Sequence, residues 1–219
     1  MERTITVKGV GAVSVKPDLM VVSMVLNSKD MDYEKSVSLA TNQVEELRTA
    51  LVNVGFKKED LKTLDFGVHV AEKRVRDKDG DYEYVFDGYE CRHRLKLEFD
   101  LDIKVLGKAL SAIATCSATP NISINFSVKD STAVSAEILK RATQNAKQKA
   151  EILCESANVK LGSLVTIDYN WGEINVTSRT RYLGSEQHCC APTMTFAEMD
   201  IEPEDIDAED TATFVWEII

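Results

Sequence analysis

The chain lacks an excess of positive charge. Its 26 Lys and Arg are outnumbered by 36 Asp and Glu, for a formal net charge of −10. That balance excludes non-specific attachment to nucleic acid or to an anionic membrane, both of which need a concentrated positive field. It also lacks any run approaching the roughly 18 apolar residues that would span a bilayer. No basic segment followed by an apolar one opens the chain, because Met1-Glu2-Arg3-Thr4 runs straight into alternating residues. As written, this reads as a cytoplasmic protein, with export as the alternative if a leader has been removed ahead of Met1. An even cysteine framework is missing too. Cys91, Cys116, Cys154, Cys189 and Cys190 are odd in number and irregular in spacing, which fits reduced thiols better than a disulfide scaffold.

Catalytic signatures are equally scarce. Gly9-x-Gly11 has no third glycine and no following helix, so it fails as a dinucleotide fingerprint and reads as close packing or a bend. Ser, His and Asp occur without a nucleophile-elbow motif. His188-Cys189-Cys190 is the one cluster of soft ligands, but adjacent cysteines do not easily point at one ion and the separated pairs of zinc sites are missing. The expectation is no catalytic, cofactor or metal site, with a redox or metal role for His188, Cys189 and Cys190 as the alternative and a small-ligand carrier as another.

What is present is ordinary globular material. A 44% hydrophobic and 28% charged chain of 219 residues can bury a substantial core, as a single module over residues 1–219 or as two intertwined subdomains. Thr4 to Val15 alternates as a strand, Pro17 interrupts, and Leu19 to Leu26 follows as a second strand expected to form a hairpin or bent pair with the first. Asp30 then precedes an amphipathic helix on Tyr33, Val37, Ala40, Val44, Leu47, Leu51 and Val54, stopped at Gly55. Leu64, Phe66, Val68 and Val70 start a strand that returns, through an Asp79-Gly80 turn, along Tyr89, Cys91, His93, Leu95, Leu97 and Phe99. A helix from about Ile103 to Ala118, a strand with Ile122, Ile124, Phe126 and Val128, and a helix with Val134, Ile138, Ala142, Ala146, Ala150 and Leu153 come next. The last helix is expected to cross over to a strand at Leu164 to Tyr169, and Ala212, Phe214, Trp216 and Ile218 close the chain. Residues 178–210 read as an acidic, solvated loop. The class is α+β, a mixed or antiparallel sheet with three helices in the order ββαββαβαββ.

Several side chains stand out against that layout. His93 reads as a hydrogen-bonded core histidine and His69 as exposed, while Cys91, Cys116 and Cys154 read as inert core thiols. Arg92, Arg94 and Lys96 form a basic row expected to pair with acids of a neighbouring strand or subunit. In the long hairpin, a two-residue turn at Asp79-Gly80 places Leu64, Phe66, Val68 and Val70 opposite Leu95, His93, Cys91 and Tyr89. Beyond Gly88 the parity of the apolar residues changes, putting Val75, Tyr82, Tyr84 and Phe86 on one face. Either Asp87-Gly88 is a β-bulge that turns these residues back toward the core, or they are an exposed interface patch. The second is the expectation.

Four motifs in order resemble a known family. They are Thr4-Ile5-Thr6-Val7-Lys8-Gly9-Val10-Gly11 with Val15-Lys16-Pro17-Asp18; Asp87-Gly88-Tyr89; Ala142-x3-Ala146-x3-Ala150-Glu151 with Val159-Lys160-Leu161-Gly162; and a closing strand after Ile201-Glu202-Pro203. Together, over residues 3 to 218, they resemble the SIMPL-domain family, a domain of unknown function. The resemblance implies a homo-oligomer, often exported to the bacterial envelope and in some members tied to oxidative-stress resistance, with no catalytic residues to carry over. The absence of a leader in this sequence departs from the exported members.

Overall fold

The computed structural model of the chain describes residues 3–76, 81–169, 174, 176–183 and 201–219. The fold is α+β. The elements are β1 (Thr4–Val15), β2 (Leu19–Asp30), α1 (Tyr33–Asn53), β3 (Leu61–Arg76), β4 (Tyr82–Asp100), α2 (Ile103–Ala114), β5 (Asn121–Ser127), α3 (Ser131–Ser156), β6 (Leu161–Asp168), β7 (Thr177–Leu183) and β8 (Ile206–Ile218). They form a three-stranded sheet β1-β8-β6 and a five-stranded sheet β3-β4-β2-β5-β7. The chain divides into two compact units, one of Met1–Asp18, Ser127–Arg179 and Pro203–Ile219, the other of Leu19–Phe126 and Thr180–Glu202.

In the first unit β1 pairs antiparallel with β8 over its whole length, from Thr4 opposite Glu217 to Val15 opposite Ile206. The hairpin of β1 with β2 anticipated from the sequence does not form, because β2 pairs with β4 in the other sheet. Nor is α3 a crossover within one sheet, since β5 and β6 belong to different sheets. Asp130 caps α3 by accepting the Ala133 N–H at 2.7 Å. The helix buries Ile138, Ala142, Ala146, Ala150 and Cys154, a row at spacing four that runs obliquely to the helix axis. Leu153, placed in that stripe by the sequence reading, is exposed beside the buried Cys154.

The small residues on both sides let backbone meet backbone. A Cβ on Gly9 would lie 2.1 Å from Ala142 O, and one on Gly11 would lie 1.9 Å from Ile138 O. One flank of α3 also bonds the backbone of β1 along the edge not taken by β8. Arg141 donates to Ala12 O at 2.9 Å, Lys149 to Lys8 O at 3.2 Å, and Val10 N–H donates to Asn145 Oδ1 at 3.1 Å. These three residues repeat at spacing four and so share one side of the helix.

In the second unit β2 alternates strictly, and Met20, Val22, Met24 and Leu26 are buried. They pack with Val44, Leu47 and Leu51 of α1, Leu106, Leu110 and Ile113 of α2, and Leu95, Leu97, Ile124 and Phe126. Each such large side chain contributes about 1.5–3 kcal/mol by leaving water. The α1 cap is Asp32, which accepts from Lys35 N; Asp30 instead ends β2. Helix α2 starts on Asp102 and stops at Ala114, short of the anticipated Ala118. Glu46 of α1 receives the Ser117 N–H at 2.6 Å and the Ser117 hydroxyl at 2.5 Å, so its carboxyl is held below the usual range, by the Ser117 hydroxyl first.

Two corrections concern residues 178–210. Thr177–Leu183 is a strand, and β8 begins at Ile206, well inside the expected loop. In β7 the buried position is Ser178, whose hydroxyl donates to Glu204 O at 2.8 Å. A strand with a polar inner face has no hydrophobic alternation to announce it. In β8, Ile206 and Ala208 are buried while Asp207 and Glu209 point outward. Asp207 and Glu209 of the acidic run are therefore the solvent face of a strand.

Candidate functional site

The long hairpin β3–β4 carries the largest accumulation of exposed aromatic side chains among the described residues. At its base the register follows the sequence reading for three pairs, Phe66–His93, Val68–Cys91 and Val70–Tyr89. Leu64 departs from it. Thr63 takes the place opposite Leu95, an irregularity follows between Thr63 and Asp65, and Leu64 is exposed.

A second irregularity lies between Val70 and Glu72. There Ala71 alone faces two residues of β4, Asp87 and Gly88, which makes this a β-bulge. Gly88 has φ of 102°, and a Cβ on it would stand 2.6 Å from Asp30 O. Only glycine meets both demands. Asp87 is clamped by Lys29 and by Lys73, the latter at 3.3 Å. Its carboxyl is held below its ordinary range, chiefly by the Lys29 hydrogen bond.

Past the bulge the pairs are Glu72–Phe86, Arg74–Tyr84, Val75–Glu83 and Arg76–Tyr82. The extra residue turns Tyr82, Tyr84 and Phe86 onto the face that carries Tyr89, Cys91 and His93 at the base. It also separates them from Val75, which shares the other face with Glu83. Val75 thus leaves the patch expected from parity. The Asp79-Gly80 turn lies outside the described residues.

Although they point to the core face, Tyr82, Tyr84 and Phe86 are 58%, 68% and 47% exposed. Strand β2 ends at Asp30, opposite Tyr89, so the outer half of the hairpin is a two-stranded ribbon. Helix α1 begins at Tyr33, whose ring meets Tyr89 edge-on with centroids 5.5 Å apart. Phe86 meets the same Tyr89 at 5.4 Å, and Arg74 lies 3.7 Å over the Tyr82 ring, a cation–π contact. Tyr33 is itself exposed, contrary to its place in the expected buried stripe, as are Phe66 and Val70 lower on β3. The result is an aromatic strip with one edge on α1 and the rest in water.

His93 sits at the base of this strip, half-buried. Its Nε2 is 2.9 Å from Thr63 Oγ1, while its buried Nδ1 has no partner. Burial pushes its pKa below the ordinary value, the Arg48 guanidinium adds to that, and Asp65 opposes it. His69 is exposed, 4.0 Å from Glu90. Cys91 and Cys154 are buried and Cys116 is half-buried. Burial raises the Cys91 and Cys116 thiols above their ordinary range, which makes them poor nucleophiles.

On the opposite face of β4, Lys96 pairs with Glu98 of its own strand at 2.8 Å, and Arg94 stands opposite Asp65 in the register. Among the described residues no three His, Cys, Asp or Glu are grouped to hold a metal, and no helix is long and apolar enough to cross a membrane. His188, Cys189 and Cys190 lie outside the described residues. Gly9 and Gly11 serve the α3 contact. The feature missed in the sequence was the joint position of Tyr33 and Tyr89, for which the helix start beside a strand end was the available signal.

An α+β protein with an exposed aromatic hairpin is the class these observations define. Residues 5–216 match the SIMPL family, described as a protein of unknown function (DUF541), and the chain belongs to that family. It is similar to the 26 kDa periplasmic immunogenic proteins of Brucella melitensis biotype 1 and of Brucella abortus strain S19. Each is 24% identical over 163 residues, which are 74% of this chain and 65% of the relative. The chain thus spans a little under two thirds of the length of these curated relatives.

Proposed function

We propose that this SIMPL-family protein works without catalysis, as a self-assembling module whose outer hairpin docks on a second copy of the chain. One observation carries the reading: Tyr82, Tyr84 and Phe86 are exposed together on one face of a two-stranded ribbon beyond β2. A two-stranded ribbon is marginal in water by itself, and a contiguous exposed aromatic strip is the kind of surface that protein contacts cover. Tyr rings supply large contact area at low entropy cost and are enriched at interfaces. The free edge of β3 runs alongside and offers backbone partners to the same contact. The periplasmic setting in the names of the Brucella relatives supports an envelope location for such an assembly.

The test is the double variant Tyr84→Asp with Phe86→Asp, followed by light-scattering mass and urea denaturation. The expected result is a smaller particle with the denaturation midpoint of its subunit unchanged, as for other exposed substitutions. Native mass with a lowered midpoint assigns the aromatics to the subunit's own core and refutes the interface. A wild-type chain that is monomeric at high concentration refutes self-assembly itself.

A further inference from the structure

A second site lies in the first unit, independent of the hairpin. The β1–β8 register places Ala12 opposite Glu209, Val13 opposite Ala208 and Ser14 opposite Asp207. Val13 and Ala208 turn inward to Ile138 of α3, so strand alternation turns Ala12, Ser14, Asp207 and Glu209 to the opposite face. These residues and Arg179 of β7 line a concavity of about 470 Å³, within the range of small-molecule sites. The Ser14 hydroxyl donates to Asp207 Oδ1 at 2.7 Å and holds that carboxylate in place. Arg179 is exposed on the wall, and no ion pair joins it to Asp207, Glu209 or any other described acid.

The groove therefore carries charges of both signs that do not neutralise each other. A simple anion entering it meets two carboxylates, and a simple cation meets a guanidinium. A metal ion would find two carboxylates without a third acidic or imidazole ligand among the described residues. The complement of this lining is one molecule with separated opposite charges. We propose that the groove binds a small zwitterion of the amino-acid or dipeptide class. Its ammonium faces Asp207 and Glu209, and its carboxylate engages Arg179, whose planar fork suits a carboxylate.

The probe is glycylglycine, titrated into the full chain and followed by amide chemical shifts. N-acetylglycylglycine, which lacks the ammonium, and glycylglycine amide, which lacks the carboxylate, serve as comparisons. Binding should shift resonances of Ser14, Arg179, Asp207 and Glu209, and each blocked dipeptide should bind about tenfold more weakly or worse, as expected for loss of a charge-assisted hydrogen bond. Arg179→Gln should remove the preference for glycylglycine over its amide and keep the preference over the acetylated form. Asp207→Asn with Glu209→Gln should do the reverse. Because these side chains are on the surface, an unchanged urea midpoint confirms that the variants are folded. The proposal is overturned if glycylglycine gives no shifts at tens of millimolar. It is equally overturned if the blocked forms bind as well as the free dipeptide, or if Arg179→Gln leaves the discrimination intact.

Discussion

Gly11→Ala tests the contact on which the first unit is built. The added Cβ would stand 1.9 Å from Ile138 O, 2.7 Å from Ala142 N and 2.8 Å from Ile138 C. All three are helix backbone atoms, so no side-chain rotation relieves the clash. Reaching ordinary contact requires α3 and β1 to part by roughly 1.5 Å, and a gap of 0.5–1 Å already forfeits about a quarter to a half of each dispersion contact. Overpacking of this kind costs about 1–3 kcal/mol and occasionally more. The variant also gains about 0.4–1 kcal/mol from a stiffer unfolded chain. A net loss of about 1–2 kcal/mol is expected. Urea denaturation measures it as a lower midpoint at unchanged slope. Gly67→Ala is the matched control, because nothing lies within 4 Å of a Cβ there, and it should be neutral or slightly stabilising. A Gly11→Ala midpoint equal to that of Gly67→Ala would refute the close approach of α3 to β1.

Ala146→Leu attacks the same seam from the helix side, since a Cβ on Gly9 would already be 2.8 Å from the Ala146 Cβ; it should cost about 1–3 kcal/mol, and an unchanged midpoint would mean that this face of α3 is open. His93 governs a pH dependence. Its folded pKa lies below the ordinary 6.5, so the unfolded chain takes up the proton more readily; the stabilisation is present above pH of about 6.5 and is lost as pH falls through the folded pKa. Urea midpoints at about pH 7.5 and pH 5.5 should differ less in His93→Gln than in the wild type, and equal differences would remove His93 from the acid response.

The helices were legible because each buries a stripe with the period of a helix, and both Ala40-to-Leu51 in α1 and Ile138-to-Ala150 in α3 stand where the spacing put them. Strand partners were not legible in the same way. Thr4 pairs with Glu217 across nearly the whole chain, whereas local reasoning favours the neighbour in sequence, which here was β2. At the hairpin, the parity change beyond Gly88 left a bulge and an exposed patch as alternatives, with the patch expected. The bulge forms, Tyr82, Tyr84 and Phe86 are nonetheless exposed, and the shift of one residue ejects Val75 from their face. Exposure was hidden as well. Phe66, Val70 and Tyr33 have the pattern of core positions, yet all three are exposed, two of them on the edge strand β3. Arg179 and Asp207 lay in a stretch whose charge density resembled a loop, and their joint position is a product of tertiary pairing.

The β1–β8 ladder has a consequence for synthesis. Strand β1 precedes every other element of the fold in sequence, and β8, the strand that pairs with it, follows them all. At about 5–20 residues per second, the first unit waits roughly 10–40 s for its middle strand, because β8 lies between β1 and β6. Most of the second unit, Leu19–Phe126, is contiguous in sequence and is complete long before then. During the wait, α3 emerges and can lay its alanine row and its Arg141, Asn145 and Lys149 side chains on β1. A ribosome that stops short of Ile206 would release a chain in which β1 and β6 both lack the neighbour that joins them.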